Sequence, residues 1–251
     1  MSLVELFWPA FVLAMLLVFI HVIFGLEIIK RGVIFTDLAT GQVAAIGVAV
    51  SLLVFDGKYT FVLTLVFALI AALLISFATY RVKHVEAFIG MLYALGASSI
   101  IVLLSNSAEG TELFAKLQAN DILFTTPKDL IEPALLYISI ATIFWLFYKK
   151  TEGFLKEFMF FALLALTVTS SVQLAGVLVV FVLLIVPAFL SLLQNRFSKL
   201  YFSWFVGTIV IISSMIVSYN YDLPTGYTIV FLASLIGVLS ALIFSYKNVK
   251  D

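Results

Sequence analysis

Residues 32–55 read GVIFTDLATGQVAAIGVAVSLLVF, an apolar run of membrane-crossing length that carries Asp37 and Gln42. A bilayer's hydrocarbon core takes about 20 helical residues to cross. It offers neither side chain any water, and an Asp near a helix centre costs roughly 3 kcal/mol on insertion scales. Polar groups held at that cost are functional-site candidates. Working outward, apolar stretches also fall at about 6–29, 59–80, 85–105, 133–148, 158–172, 174–193, 200–219 and 226–246. The chain is 64% hydrophobic and 11% charged, with mean hydropathy +1.22, whereas about a quarter of a soluble domain is charged. These features define an all-α, polytopic membrane helical bundle. No linker or fixed-period repeat divides it, so residues 1–251 are read as a single domain.

The stretch 158–193 is too long for one straight helix, and Ser170-Ser171-Val172-Gln173 is the expected break. Charge placement selects nine spans over the alternative of eight. With nine, one side holds Lys30, Arg31, Arg81, Lys83, Lys149, Lys150, Lys156, Arg196, Lys199, Lys247 and Lys250, and the other only Lys58, Lys116 and Lys128. By the positive-inside rule the N-terminus lies outside and the C-terminus in the cytoplasm. The Met1–Glu5 start has no Lys or Arg, and the apolar run behind it is too long for a signal-peptide core, so it reads as a retained first span. The one long polar connection, about 106–132, then lies outside. It carries Glu109, Glu112, Asp121, Asp129 and Glu132 against Lys116 and Lys128. Within it Leu113, Phe114, Leu117, Ile122 and Leu123 have helical spacing, which fits a helix over 110–124 lying on the membrane surface.

Several function classes drop out. Fourteen basic residues balance fourteen acidic ones, so no basic surface points to nucleic acid. No cysteine is present, and two histidines, His21 and His84, leave little material for a soft-metal site. Gly57-Lys58 is followed by Tyr59 and lacks the preceding glycine of a P-loop, so the chain itself does not bind ATP in that way. No H-E-x-x-H occurs, nor a Ser/His/Asp set for hydrolysis, and the chain is read as a non-enzyme.

Four ordered stretches carry a family resemblance. They are Lys30–Ala39 continuing to Gly47, Glu86–Ala94 (EAFIGMLYA), Gly176–Ala188 (GVLVVFVLLIVPA) and Ser218–Gly226 (SYNYDLPTG). Together they resemble the permease subunits of the zinc/manganese/iron-type (ABC-3) metal ABC importers over about three quarters of the chain. The resemblance implies a homodimeric permease in the bacterial inner membrane, translocating a divalent transition metal. It also implies a separate cytoplasmic ATPase and an extracytoplasmic solute-binding protein, with no cofactor besides the transported ion. Pro187 is expected to end or kink its span, and Ala188–Gln194 then leads into the basic Asn195–Lys199. In the family this region resembles a coupling helix seated on the ATPase, with Pro187, Ala188, Leu192 and Arg196 as its residues here. An ordinary Pro-capped span with basic flanks is the alternative. In the last stretch, Pro224-Thr225 before an apolar run is a helix-start signal, with partner docking secondary.

The site is where the chain departs from the family. Many members carry Asp and His four residues apart on the second span, one helical face presenting both to a cation. Here, with Gln42 at the His position, the Asp position holds Leu38; with Asp37 at the Asp position, the His position holds Gly41. Asp37 and Gln42 are five apart, roughly 140° around a straight helix. They share a ligand only if the helix breaks at Gly41. Gln42 is read as lining the pathway, or as a hydrogen-bonding partner of a neighbouring helix. Asp37 either guards the inner mouth and contributes to a metal site, or caps the helix start. His21 is the one histidine deep enough to supply a metal nitrogen, with a packed, hydrogen-bonded imidazole as the alternative. Glu27 pairs with Lys30 and Arg31, Glu86 complements a helix dipole, and Gln173 satisfies backbone freed at the expected break. Manganese or iron(II) suits these oxygen ligands better than zinc does. A secondary transporter or channel working without ATP, and a non-transporting scaffold, are the competing classes.

Overall fold

The computed structural model describes residues 3–105, 107, 112, 122–148 and 150–248. Nine apolar α-helices form among them: α1 (Leu3–Arg31), α2 (Thr36–Phe55), α3 (Thr60–Arg81), α4 (Val85–Leu104), α5 (Ile131–Phe147), α6 (Gly153–Ala175), α7 (Val177–Leu192), α8 (Lys199–Asn220) and α9 (Thr225–Asn248). Eight helical segments have the length and hydropathy to cross a membrane, and α7 is shorter at 16 residues. At 1.5 Å per residue α7 spans roughly 24 Å, somewhat less than a hydrocarbon core. The expected surface helix over 110–124 lies almost wholly outside the described residues. Ile122 and Leu123 are seen, in the short 3-10 turn Ile122–Phe124.

The break between the sixth and seventh helices is displaced from its expected place. Ser170–Gln173 is helical, and the chain turns at Gly176, whose φ is +83°. A left-handed φ costs an L-residue about 1–2 kcal/mol and glycine almost nothing. The serines do not break the helix because they satisfy themselves within it. Ser171 Oγ donates to the carbonyl of Thr167 at 2.6 Å, and Thr167 Oγ1 to that of Leu163 at 2.8 Å.

The helices sort into two compact units. One holds Met1–Arg31, Asp121–Ala134 and Leu174–Asp251. Its centre is α7, which packs against α1, α8 and α9, while α8 also packs on α1 and α9. Being surrounded, α7 is apolar on every face; Val180, Leu183, Leu184 and Ala188 are fully buried. Trp204 on α8 donates its indole N–H to the carbonyl of Phe19 on α1 at 3.1 Å.

The other unit holds Gly32–Asn120 and Leu135–Gln173. Here α2 packs on α3 and α4 through small residues, which let helix backbones approach closely. A Cβ added to Gly47 of α2 would lie 2.5 Å from the carbonyl oxygen of Leu63, and one added to Gly96 of α4 only 3.0 Å from Gln42 Cβ. Ala49, Ile100 and Leu104 form a buried cluster beside them, with Ala45, Ile46 and Leu103 packed on it. Tyr137 of α5 is buried with its hydroxyl 2.9 Å from Ser171 Oγ, a polar tie between α5 and α6 that hydrocarbon leaves unchallenged by water.

Candidate functional site

The second helix is built so that its polar residues face different surroundings. It begins at Thr36, whose hydroxyl donates to the carbonyl of Val33 at 2.7 Å. The capping position is Phe35, whose own side chain makes no capping hydrogen bond. Asp37 is the second helical residue, its carboxyl beside the first-turn N–H groups of Asp37 and Leu38. It is 2% exposed, and its Oδ1 has no hydrogen-bond partner in its buried setting. A carboxylate in the first turn of a helix gains about 0.3–1 kcal/mol from the aligned backbone dipoles. An unsatisfied buried oxygen costs more, about 1–3 kcal/mol.

The turn before α2 is tied from outside the helix. Glu86, in the first turn of α4, accepts the backbone N–H of Phe35 through Oε1 at 3.2 Å. A helix-dipole role alone accounts for Glu86 in the sequence. Its tie to a residue 51 positions earlier has no local signature.

Five residues beyond Asp37, Gln42 is half-buried where α2 crosses α4, its backbone against Gly96. The helix runs without interruption from Thr36 to Phe55, and Gly41 sits inside it against Val168 Cγ1. No break at Gly41 brings Asp37 and Gln42 round to one face. Among the described residues, no group of three or more His, Cys, Asp or Glu could hold a metal ion.

His21 belongs to the other unit. It is fully buried in α1, and its Nδ1 donates to the carbonyl of Leu17 at 2.8 Å. That bond leaves Nε2 as the acceptor, and Nε2 has no partner. His84 lies outside any buried site, exposed at the start of α4.

The region expected to follow Pro187 is organised differently. Pro187 does not end α7, which continues to Leu192 with Pro187 and Ala188 buried inside it. Neighbouring helices hold the segment past the missing backbone donor. No separate short helix follows. Residues 193–198 form a turn clasped by Gln194, whose Oε1 accepts the N–H groups of Arg196 and Phe197, both at 2.8 Å. Gln194 Nε2 donates to the carbonyl of Phe197 at 3.0 Å. Arg196 is exposed, its guanidinium 5.9 Å from the Phe197 ring centre. Gln194 carries no pattern in the sequence that marks it as the organiser of this turn.

At the other end of α8, Ser218 Oγ donates to the carbonyl of Leu223 at 2.7 Å and lies 2.8 Å from Thr225 Oγ1. Thr225 is buried at the start of α9, and Thr228 Oγ1 donates to the carbonyl of Pro224 at 2.8 Å. This stretch of the sequence resemblance thus has a structural use as a tight helix-to-helix turn.

Comparison with known proteins places the chain. The family model described as the ABC 3 transport family matches residues 150–244, which cover α6 to most of α9. The manganese transport system membrane protein MntC of Listeria monocytogenes serovar 1/2a is 27% identical over 245 residues, spanning 90% of this chain and 86% of that protein. MntC of Listeria innocua serovar 6a is 28% identical over 247 residues, with the same coverage. In fold, the chain is similar to one in the structure of PsaBC from Streptococcus pneumoniae in complex with Fab, with TM-score 0.77 and 21% identity over 98% of this chain and 96% of that one. With eight helices long and apolar enough to cross a membrane, the chain is similar to multi-pass membrane proteins of manganese transport systems, and its residues 150–244 match the ABC 3 transport family.

Proposed function

We propose that the chain is the membrane-spanning subunit of a bacterial ABC importer for a divalent transition metal, with manganese the leading cargo. The observation that carries this reading is the similarity to two manganese transport system membrane proteins along 90% of the chain. The oxygen-rich, cysteine-free set of polar residues agrees with it, since manganese(II) and iron(II) accept oxygen donors where zinc favours nitrogen and sulfur.

In this reading residues 1–251 act as one permease domain with the N-terminus outside. Two copies pair around the pathway, a separate ATPase docks on the cytoplasmic face, and an extracytoplasmic protein delivers the ion. The permease hydrolyses nothing. The Gln194-clasped turn with Arg196 meets the ATPase, while Leu192, Ala188 and Pro187 connect that turn to the bundle. Asp37 faces the ion near the inner mouth and Gln42 lines the passage nearer the midplane; His21, in the other unit, carries a buried Nε2 without a partner. Because Asp37 and Gln42 do not share a helical face, α2 provides no chelating pair of the Asp-x-x-x-His kind. A weakly held ion leaves the passage readily, and selectivity then resides in the binding protein.

The test is co-expression with a candidate ABC ATPase from the same organism, followed by reconstitution with a candidate binding protein. The expected result is a stable complex whose ATP turnover rises with manganese-loaded binding protein. A chain that purifies without the ATPase, or turnover indifferent to the loaded protein, refutes the proposal.

A further inference from the structure

Within the unit formed by α1, α7, α8 and α9, four contacts converge on one level of α7. Pro187 lies buried inside that helix. Lacking an N–H, it leaves the carbonyl of Leu183 without its usual i+4 donor, so the helix is axially weakest at this level. Each of the three surrounding helices presents a glycine there. A Cβ added to Gly25 of α1 would fall on the carbonyl oxygen of Leu184 and lie 3.2 Å from Ala188 Cβ. One added to Gly207 of α8 would lie 2.7 Å from Val18 Cγ1 and 3.4 Å from Pro187 Cγ. One added to Gly237 of α9 would lie 3.4 Å from both γ-carbons of Val186.

Side chains at a helix crossing interlock as knobs in holes and fix the helices against rotation. Glycines remove the knobs: Gly25 lies against the backbone of Leu184, while Gly207 faces the side chains of Val18 and Pro187 and Gly237 that of Val186. The three glycines therefore seat residues 184–188 closely on three sides without gripping them. Leu184, Ala188 and Val18 are fully buried, so the seat is filled. One turn and a half beyond Pro187, α7 ends at Leu192 and the Gln194-clasped turn begins.

We propose that Pro187 is a fulcrum. α7 rocks in its glycine seat, so that a push on residues 193–198 displaces the rest of α7 against α1, α8 and α9. This rests on the reading of that turn as the ATPase contact. The chain has no native cysteine, so spin labels attached at Leu178→Cys, exposed at the far end of α7, and at Tyr221→Cys, exposed in the turn between α8 and α9, report movement of that end of α7 against its neighbours. In the reconstituted complex with its ATPase, adding ATP and vanadate is expected to shift the label-to-label distance distribution. Gly207→Ala and Gly237→Ala are expected to shrink that shift and to lower manganese imported per ATP hydrolysed, Gly207→Ala more strongly. Val18→Ala should restore both in the Gly207→Ala background, because it removes the γ-carbon that the new methyl meets. If Gly207→Ala does not assemble, Gly237→Ala alone decides. A full shift and full coupling in the assembled glycine variants overturn the fulcrum while leaving the importer reading intact. No nucleotide-dependent shift in the parent complex overturns both.

Discussion

Replacing Asp37 by Leu separates what this residue does for stability from what it does for transport. The carboxyl is 2% exposed and Oδ1 has no partner. Removing an unsatisfied buried oxygen returns about 1–3 kcal/mol. Against that, the substitution forfeits about 0.3–1 kcal/mol of interaction with the first-turn dipoles. It also adds volume to a packed site, a cost of similar order where neighbours cannot move. Where the neighbours adjust and the overpacking cost is small, the balance falls near zero or on the stabilising side, by up to roughly 2–3 kcal/mol. Asp37→Leu should thus match or exceed the parent in thermal midpoint, read by size-exclusion chromatography of the detergent-solubilised protein after heating. Manganese uptake by proteoliposomes containing the assembled transporter should fall sharply. A variant that melts well below the parent refutes the reasoning, because the carboxyl is then a structural group. A variant that is stable and fully active refutes it from the other side.

Other substitutions grade the account. Gly47→Ala places a methyl 2.5 Å from the carbonyl oxygen of Leu63, while Gly96→Ala meets Gln42 at 3.0 Å; the first should lower the thermal midpoint more than the second, each by an overpacking cost of order 1–3 kcal/mol. Gly176→Ala, at φ +83°, should destabilise by about 1–2 kcal/mol, measured by the same heating assay, while Ser170→Ala should change little. Gln194→Ala releases the N–H groups of Arg196 and Phe197 in an exposed turn; it should leave the melting curve unchanged yet weaken co-purification with the ATPase. Tyr137→Phe removes a hydroxyl that Ser171 replaces with its own bond to Thr167, so the loss should stay near 0.6 kcal/mol, typical of hydrogen bonds between membrane helices.

The helices themselves were legible because hydrocarbon imposes one rule on every span. The stretches expected at about 59–80, 85–105 and 200–219 are the helices Thr60–Arg81, Val85–Leu104 and Lys199–Asn220. Polar residues misled where soluble-protein habits were applied. Ser170–Gln173 looks like a break, yet inside a bilayer hydroxyls bond their own i−4 carbonyls and the helix continues to Ala175. Pro187 looks like an end, yet a proline walled in by α1, α8 and α9 is carried within α7 to Leu192. The mutual placement of Asp37 and Gln42 was legible from spacing alone, since an unbroken helix leaves five residues no way to converge. The tie from Glu86 to Phe35 was not, because only the packing of α4 on α2 brings it about.

The central claim is that this chain conducts a divalent transition metal under the control of an ATPase. It is tested most directly by uptake of radioactive manganese into proteoliposomes holding the chain, its candidate ATPase and the metal-loaded binding protein. The account predicts uptake that requires ATP on the ATPase side, persists when proton and sodium gradients are collapsed, and fails with an ATPase unable to hydrolyse. Uptake that follows an ion gradient and ignores ATP, or no uptake by a fully assembled complex, contradicts it.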